Sequence, residues 1–267
     1  MDALEFPTSE TPFLEHYLPT LTQKENDLPF TTLTFATSLD SQLALSPGTR
    51  TVLSGPQSKA MTHYLRSRHD GILIGVGTAI ADNPGLNCRI EGVGGYGSKG
   101  LEGQPRPIVL DPSARWDFDA SAKILELARQ GKGRAPWILV KSGTKVPEAR
   151  RGLLETSGGR YISLGLCEGG GFDWGELLWC LKKQGLQSVM IEGGGSVINS
   201  LLEPRFQSLV DSVIVTIAPT WLGRGGVVVS PKRRFDESGT AIAASRLNDV
   251  KWHPFGEDVV LCGRIGS

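Results

Sequence analysis

The stretch SVMIEGGGSVINSLL, Ser188 to Leu202, sets one acid and three glycines between an apolar run and a helical pattern. Val189, Met190 and Ile191 read as a buried strand, and Gly193, Gly194 and Gly195 break it. Val197, Ile198, Leu201 and Leu202 then recur at helical spacing, with Gly195 or Ser196 opening the first turn and Pro204 closing the pattern. A strand, glycine turn and helix start aims free amide N–H groups and the positive end of a helix dipole at an anion, so a phosphate-bearing ligand suits it. A glycine run also serves plain turns and caps, and this one is not the GxGxxG fingerprint. Glu192 falls where the strand ends, the edge at which open α/β sheets bind ligands. It is either a solvated carboxylate or an acceptor for a polar substrate.

Other chemistries find little support. Cys88, Cys167, Cys180 and Cys262 form no CxxC pair, and His16, His63, His69 and His253 are equally scattered. Zinc and histidine-based nucleophile systems therefore drop out, and no HxE with a following PCxxC marks a zinc deaminase. The 267 residues carry zero net charge and no basic block, which argues against nucleic acid as a partner. No apolar run approaches the roughly 20 residues that cross a bilayer, and no signal pattern opens the chain. A cytoplasmic protein with reduced thiols and no membrane partner is expected.

The elements that must hold the glycine turn follow in order. Residues 1–29 read as an acidic extension that docks through Phe13, Leu14, Tyr17 and Leu18, ahead of one domain over 30–267. A strand from Phe30 ends near Ser38, with Asp40 at its edge. Ser58 to Arg68 reads as a helix with Ser58 as cap and Met61, Tyr64 and Leu65 inward. Gly71 to Val76 is a fully apolar strand, and Thr78 to Asp82 a short helix stopped by Asn83-Pro84. Glu91 to Gln104 holds six glycines and reads as a mobile surface loop. Strands are expected at 107–110, 136–140, 160–164, 210–217 and 258–265. Helices are expected from Ala120 to Arg129, with Ile124, Leu125 and Ala128 inward, and from Asp173 to a Gly185 cap. Alternating strands and helices imply a mainly parallel sheet covered on both faces, closed by antiparallel strands.

Several segments together resemble the riboflavin-pathway reductases: ATSLDSQLAL, LRSRHDGILIGVGTAIADNPGLNCR, QPRPIVLDPSARW, IEGGGSVINSLL and VDSVIVTIAPTWLG, in matching order over residues 30 to 265. The resemblance implies an α/β, dihydrofolate-reductase-like fold, a homodimer, and NADPH (NADH possible) as reductant of the ribosylamino side chain of a pyrimidine nucleotide. It places Thr78, Asp82, Ile162 and the turn Gly193, Gly194, Gly195, Ser196 and Val197 on the cofactor. Arg66, Leu86, Arg89 and Glu192 fall on the substrate, the arginines suited to its 5′-phosphate.

Read from the residues alone, Thr78 and Asp82 are equally a helix cap and first-turn acid, and either arginine a salt-bridge partner. The family's SLDG turn and its following basic residue are here Ser41 and Gln42. Lys141 with Ser142 is a candidate for a cofactor 2′-phosphate. No catalytic residue is assigned; Asp40, Glu192 or solvent could supply a proton. Alternatives are another oxidoreductase of this fold acting on a pteridine or pyrimidine, or a nucleotide-binding protein without turnover.

Overall fold

Short apolar runs bounded by glycine, proline or aspartate become the strands, because a strand covered on both faces needs apolar side chains in both directions. The computed structural model describes residues 2–20, 27–166, 171–242 and 244–265; Cys167 and part of the expected extension, residues 1 and 21–26, fall outside them. In chain order come α1 (Pro12–Glu15), β1 (Phe30–Thr37), β2 (Gln42–Ala44), α2 (Pro56–Ser67), β3 (Gly71–Gly75) and α3 (Val76–Asp82). Next are β4 (Val93–Gly94), β5 (Gly97–Ser98), β6 (Arg106–Leu110), α4 (Lys123–Arg129), β7 (Trp137–Lys141), α5 (Glu148–Thr156) and β8 (Arg160–Leu164). The chain continues through α6 (Trp174–Lys183), β9 (Ser188–Gly193), α7 (Gly195–Leu201), β10 (Ser212–Ile217), β11 (Val227–Val228), β12 (Leu247–Phe255) and β13 (Asp258–Ile265).

Nine strands form one sheet in the order β12-β13-β10-β1-β9-β3-β6-β7-β8. Pairing is parallel from β10 to β8 and antiparallel at β13 and β12, as the pattern implied. Alternate residues serve opposite faces. Leu33, Leu73, Val189, Ile191 and Val213 join α6 and α7 on one side. On the other, Ile72, Ile74 and Val109 meet α3 and α4, while Met190 and Ile214 meet α2 and the N-terminal segment. Asp173 caps α6 by accepting from the Glu176 N–H at 2.9 Å, and Gly185 at φ 94° ends it.

Three expectations need correction. Ser58 is not a cap: Pro56 opens α2 behind Gly55, and the buried Ser58 hydroxyl instead donates to Asp258 Oδ2 at 2.6 Å. The inward face of α4 is Ile124, Leu125 and Leu127, with Ala128 half-buried, and the helix starts only at Lys123. The loop Glu91 to Gln104 folds on itself around β4 and β5, with Tyr96 and Gln104 buried. Strand β12 gave no signal in the sequence; most of it is exposed, and Pro254 interrupts its apolar pattern.

At the N-terminal edge of the sheet, a buried relay joins α2, β1 and β10. The Leu65 carbonyl can only accept, so His69 Nδ1 carries the proton and donates to it at 2.7 Å. His69 Nε2 then accepts from the Thr32 hydroxyl at 2.8 Å, and Thr32 Oγ1 accepts from Ser212 at 3.1 Å. Burial pushes His69 down to about 4, and His63, buried beside Arg66, Arg89 and Lys59, down to about 2. Below an unfolded-state value near 6.5 the unfolded chain binds protons that the folded chain refuses, so stability falls on acidification. Each histidine contributes a slope of up to about 1.4 kcal/mol per pH unit, for His69 down to its folded value and for His63 further. Urea unfolding of the wild type and of His69→Asn between pH 7 and 4.5 is expected to give a shallower pH dependence in the variant by about one histidine's slope. Parallel curves would refute this.

Candidate active site

Strand β9 returns between β1 and β3, and this placement opens the cleft. The helices that follow the adjacent strands β3 and β9 pack on opposite faces, α3 with Ile72 and Ile74, α7 with Ile191 and Leu33. Diverging helices leave a crevice beyond the carboxyl ends of the strands, where open sheets bind ligands. The cleft holds about 1530 Å³, lined at these strand ends by Thr34, Ile74, Leu110, Glu192 and Thr216. That exceeds the ~300–1,000 Å³ of a single small-molecule pocket and leaves room for two ligands side by side.

One bank is the glycine turn. Gly193 and Gly194 have φ 96° and 78°, and a Cβ on Gly194 would fall 2.8 Å from Thr78 Oγ1. Only glycine fits there, and its backbone lies bare toward the cleft. The first amides of α7, at Gly195 and Ser196, precede any intrahelical acceptor, so they can meet an anion. Thr78 and Asp82 line the cleft from α3, with Thr78 directly against this turn. Burial raises the Asp82 carboxyl above its usual range, with Arg50 working the other way. Arg115 adds a cation that the sequence reading missed. Asp111 accepts from the N–H groups of Arg115 (3.0 Å) and Trp116 (2.9 Å), shaping the turn that displays it. Its Nη2 would lie 3.8 Å from a Cβ on Gly77, over the first turn of α3. It makes no ion pair among the described residues.

The other bank is α2 and the segment after α3. Lys59, Thr62, His63 and Arg66 share one helical face, and all line the cleft. Arg66 grips Glu192 through two parallel bonds, Nε to Oε1 at 2.8 Å and Nη2 to Oε2 at 2.7 Å, and Nη1 donates to the Asn87 carbonyl at 3.2 Å. The two side chains are 13% and 18% exposed, so each neutralises the other's charge, while two guanidinium N–H groups and further carboxylate lone pairs are left over on the cleft wall. Burial disfavours the Arg66 charge, but Glu192 outweighs it and raises the group above its ordinary value. Leu86, at φ 51° and buried, turns the chain from α3 toward Arg89. Gln104 clamps that segment, accepting from the Cys88 N–H at 2.9 Å and donating to the Cys88 carbonyl at 2.8 Å. The Arg89 N–H donates to His63 Nδ1 at 3.2 Å. A neutral ring accepts at one nitrogen only, so Nε2 bears the proton and Arg89 Nε, 3.4 Å away, merely touches it.

Other expected positions lie elsewhere. Ile162 sits on the edge strand β8, packed against the cluster that contains Phe172, and does not line the cleft. Lys141 and Ser142 are also absent from its lining. Asp40 is occupied by Ser38 and by the N–H groups of Leu222 and Gly223 (3.1 and 2.8 Å). The Ser38 hydroxyl first, then those amides, hold its carboxyl below the usual range, an anchor rather than an acid. Gln42 is buried, donating to the Gly223 carbonyl. Lys59 and Arg115 were legible only as single basic residues. The α2 spacing with Arg66 was the missed signal for the first, and the Asp-Pro turn at a strand end for the second.

A switch-point cleft with an amide-lined turn on one bank and cations on the other defines a nucleotide-binding α/β protein. The chain belongs to the family described as the RibD C-terminal domain, whose model matches residues 29–261. It is 40% identical over 267 residues to the 2,5-diamino-6-ribosylamino-4(3H)-pyrimidinone 5′-phosphate reductase of Debaryomyces hansenii, covering 99% of this chain and 100% of that protein. The reductase of the same name from Eremothecium gossypii is 44% identical over 253 residues, 94% of each chain. The fold is similar to that of the Saccharomyces cerevisiae riboflavin biosynthesis reductase Rib7, with TM-score 0.75, 37% identity, and 96% of this chain and 99% of that one covered. The α/β sheet expected from the resemblance, mainly parallel with antiparallel closing strands, is the one found, and the Rib7 reductase has a similar fold.

The Arg66 and Glu192 pair sets a stability test. Arg66→Met leaves a half-buried carboxylate unpaired and is expected to cost about 3 kcal/mol, whereas Arg66→Met/Glu192→Leu together cost much less than the two singles summed. Denaturant melts of the four proteins read the coupling; additive losses would mean the pair is not formed.

Proposed function

We propose that this chain reduces the ribosylamino side chain of 2,5-diamino-6-ribosylamino-4(3H)-pyrimidinone 5′-phosphate to the ribitylamino form, with NADPH as donor and NADH as the alternative. The observation that carries this reading is one cleft with two unlike banks, a bare glycine turn facing a wall of cations. Relatives named for that reaction over their whole length support it.

The residues present fit a dinucleotide. Gly194, Gly195 and Ser196 offer amides to its diphosphate, with Gly193 setting the turn and Val197 lining the cleft while its own N–H is held by the Gly194 carbonyl; Thr78 offers a hydroxyl, and Arg115 a charge for a 2′-phosphate in the place first considered for Lys141. When bound, the nicotinamide supplies a hydride. Ile162 would act from behind the wall that Phe172 forms.

On the facing bank, Arg89 and Lys59 are left to meet the substrate's phosphate, because Arg66 is committed to Glu192. Leu86 supplies an apolar floor, and the Arg66 and Glu192 pair fixes the wall between the ligands. The ring-opened substrate is an imine at the first ribose carbon. Hydride adds to that carbon while the imine nitrogen takes a proton. Asp40 is bonded away from the cleft and both Glu192 oxygens accept from Arg66, so solvent in the open cleft is the source that remains. The protein's contribution is alignment of donor and acceptor.

Two further readings follow. The described cysteines are free thiols, which supports a reducing, cytoplasmic setting. Residues 231–242 are exposed throughout and include Phe235 at 59%; Trp252 at 60% lies exposed on β12. A homodimer covers them best.

Loss of NADPH absorbance on adding the substrate tests the main reading. Turnover is expected; NADPH binding with no oxidation by this or any pteridine or pyrimidine would favour a binding protein instead. Arg89→Ala is expected to raise the substrate KM about tenfold or more and leave the NADPH Kd unchanged, and Arg115→Ala to raise the KM of NADPH but not of NADH. The reverse pattern would exchange the banks. Light scattering is expected to give twice 28.7 kDa, and Phe235→Asp/Trp252→Asp the single mass.

A further inference from the structure

The N-terminal segment before the sheet touches the cleft wall at one place. Leu4 N–H donates to the Arg89 carbonyl at 2.7 Å, and Glu91 N–H donates to the Leu4 carbonyl at 3.0 Å, a short parallel bridge. Beside it, Arg89 Nη1 donates to the Asp2 carbonyl at 3.1 Å. With the His63 ring turned as above, that carbonyl is the guanidinium's one hydrogen-bond acceptor among the described residues, and Nη2 remains open for a ligand.

The rest of the segment is anchored well away from Arg89. Phe6 stacks on Tyr64 at 4.7 Å, and Glu15 pairs with Arg68, both on the flank of α2 that faces away from the cleft. Phe13 stacks on His253 at 4.1 Å, and Glu10 reaches the same ring at 2.8 Å. Leu14, Tyr17 and Leu18 are buried against Met61, Leu65 and Ile214. A strap fastened so firmly to α2 and β12 can hold its free end against Arg89 without itself being held there.

An unrestrained arginine loses rotamer freedom when it binds an anion, and fixing it beforehand lowers that cost. We propose that residues 2–18 form a strap that positions Arg89 for the phosphate of the substrate, so the substrate bank is incomplete without it. This rests on the function proposed above.

The test uses the full chain lacking only residues 2–4, together with Leu4→Pro, which removes the N–H bonded to Arg89. Leu154→Ala is the control, because it loosens the core under α5 and lies outside both the strap and its bonds to Arg89. The substrate KM is expected to rise about tenfold in the first two, with kcat within about twofold and the NADPH Kd unchanged, the worth of one charge-assisted hydrogen bond. Leu154→Ala is expected to lower Tm and leave KM alone. In an Arg89→Ala background the deletion is expected to have no further effect on KM. Turnover with an unaltered KM in the deletion, or an equal rise in KM without Arg89, overturns the strap alone. No turnover by the unaltered chain overturns the function and the strap with it.

Discussion

The insertion of β9 between β1 and β3 is the constraint from which the site follows. Hydrogen-bonded on both sides and buried on both faces, β9 must be apolar to its end and must then leave the sheet within a residue or two. Ile198 and Thr78 already occupy the space that side chains at positions 193 and 194 would need. The turn is glycine for steric reasons before any ligand is considered. The same crowding brings Thr78 against the backbone, so the bare amides and the hydroxyl that faces them have one cause. The cleft is thus the gap that two diverging helices must leave, and not a defect of packing.

Charge is then distributed within that gap. Arg66 and Glu192 tie α2 to the end of β9, and an ion pair so far removed from water offsets its desolvation only through good geometry, which the two parallel bonds provide. Since the pair cancels itself, the field of the cleft is set by Lys59, Arg89 and Arg115, opposed by Asp82, which has Arg50 nearby. His63 among these cations stays neutral, because burial first, and then Arg66, Arg89 and Lys59, make another positive charge costly there. A chain of zero net charge therefore carries a positive recess, and low-dielectric walls focus its field on an entering anion.

Much of this was legible in the sequence where one physical rule dominates. Fully buried parallel strands such as GILIG and SVMI need no partner to be recognised, since both of their faces are apolar. Glycine, proline and aspartate marked where they end. What escaped was whatever depends on a partner far away in the chain. Ser58 looks like a cap until Asp258, some two hundred residues on, accepts its hydroxyl's hydrogen bond. Strand β12 looks like a loop because its exposed residues answer to solvent and to the N-terminal segment, with Glu10 and Phe13 on His253. Among site residues, the resemblance brought Thr78, Asp82, Arg66, Leu86, Arg89 and Glu192 to the cleft's lining, but not that Arg66 and Glu192 consume one another. Lys59 lies outside the matching segments and Arg115 lies inside one without an assigned role; only the face of α2 and the turn set by Asp111 bring them in.

The two edges of the sheet show how an open fold avoids endless pairing. At β8, Arg160 lies over the Trp137 ring at 4.2 Å, and no residue of the strand is fully buried, with Arg160 and Ser163 exposed. At β12, the register breaks between Asn248 and Lys251, Asp249 stands at φ 49°, and Tyr17 donates to its carbonyl. A bulge, charged side chains and a bonded carbonyl leave no flat ladder for another strand. Trp252, 60% exposed on β12, stands out of the ladder rather than along it. What this edge offers a neighbour is therefore side-chain contact and not strand pairing.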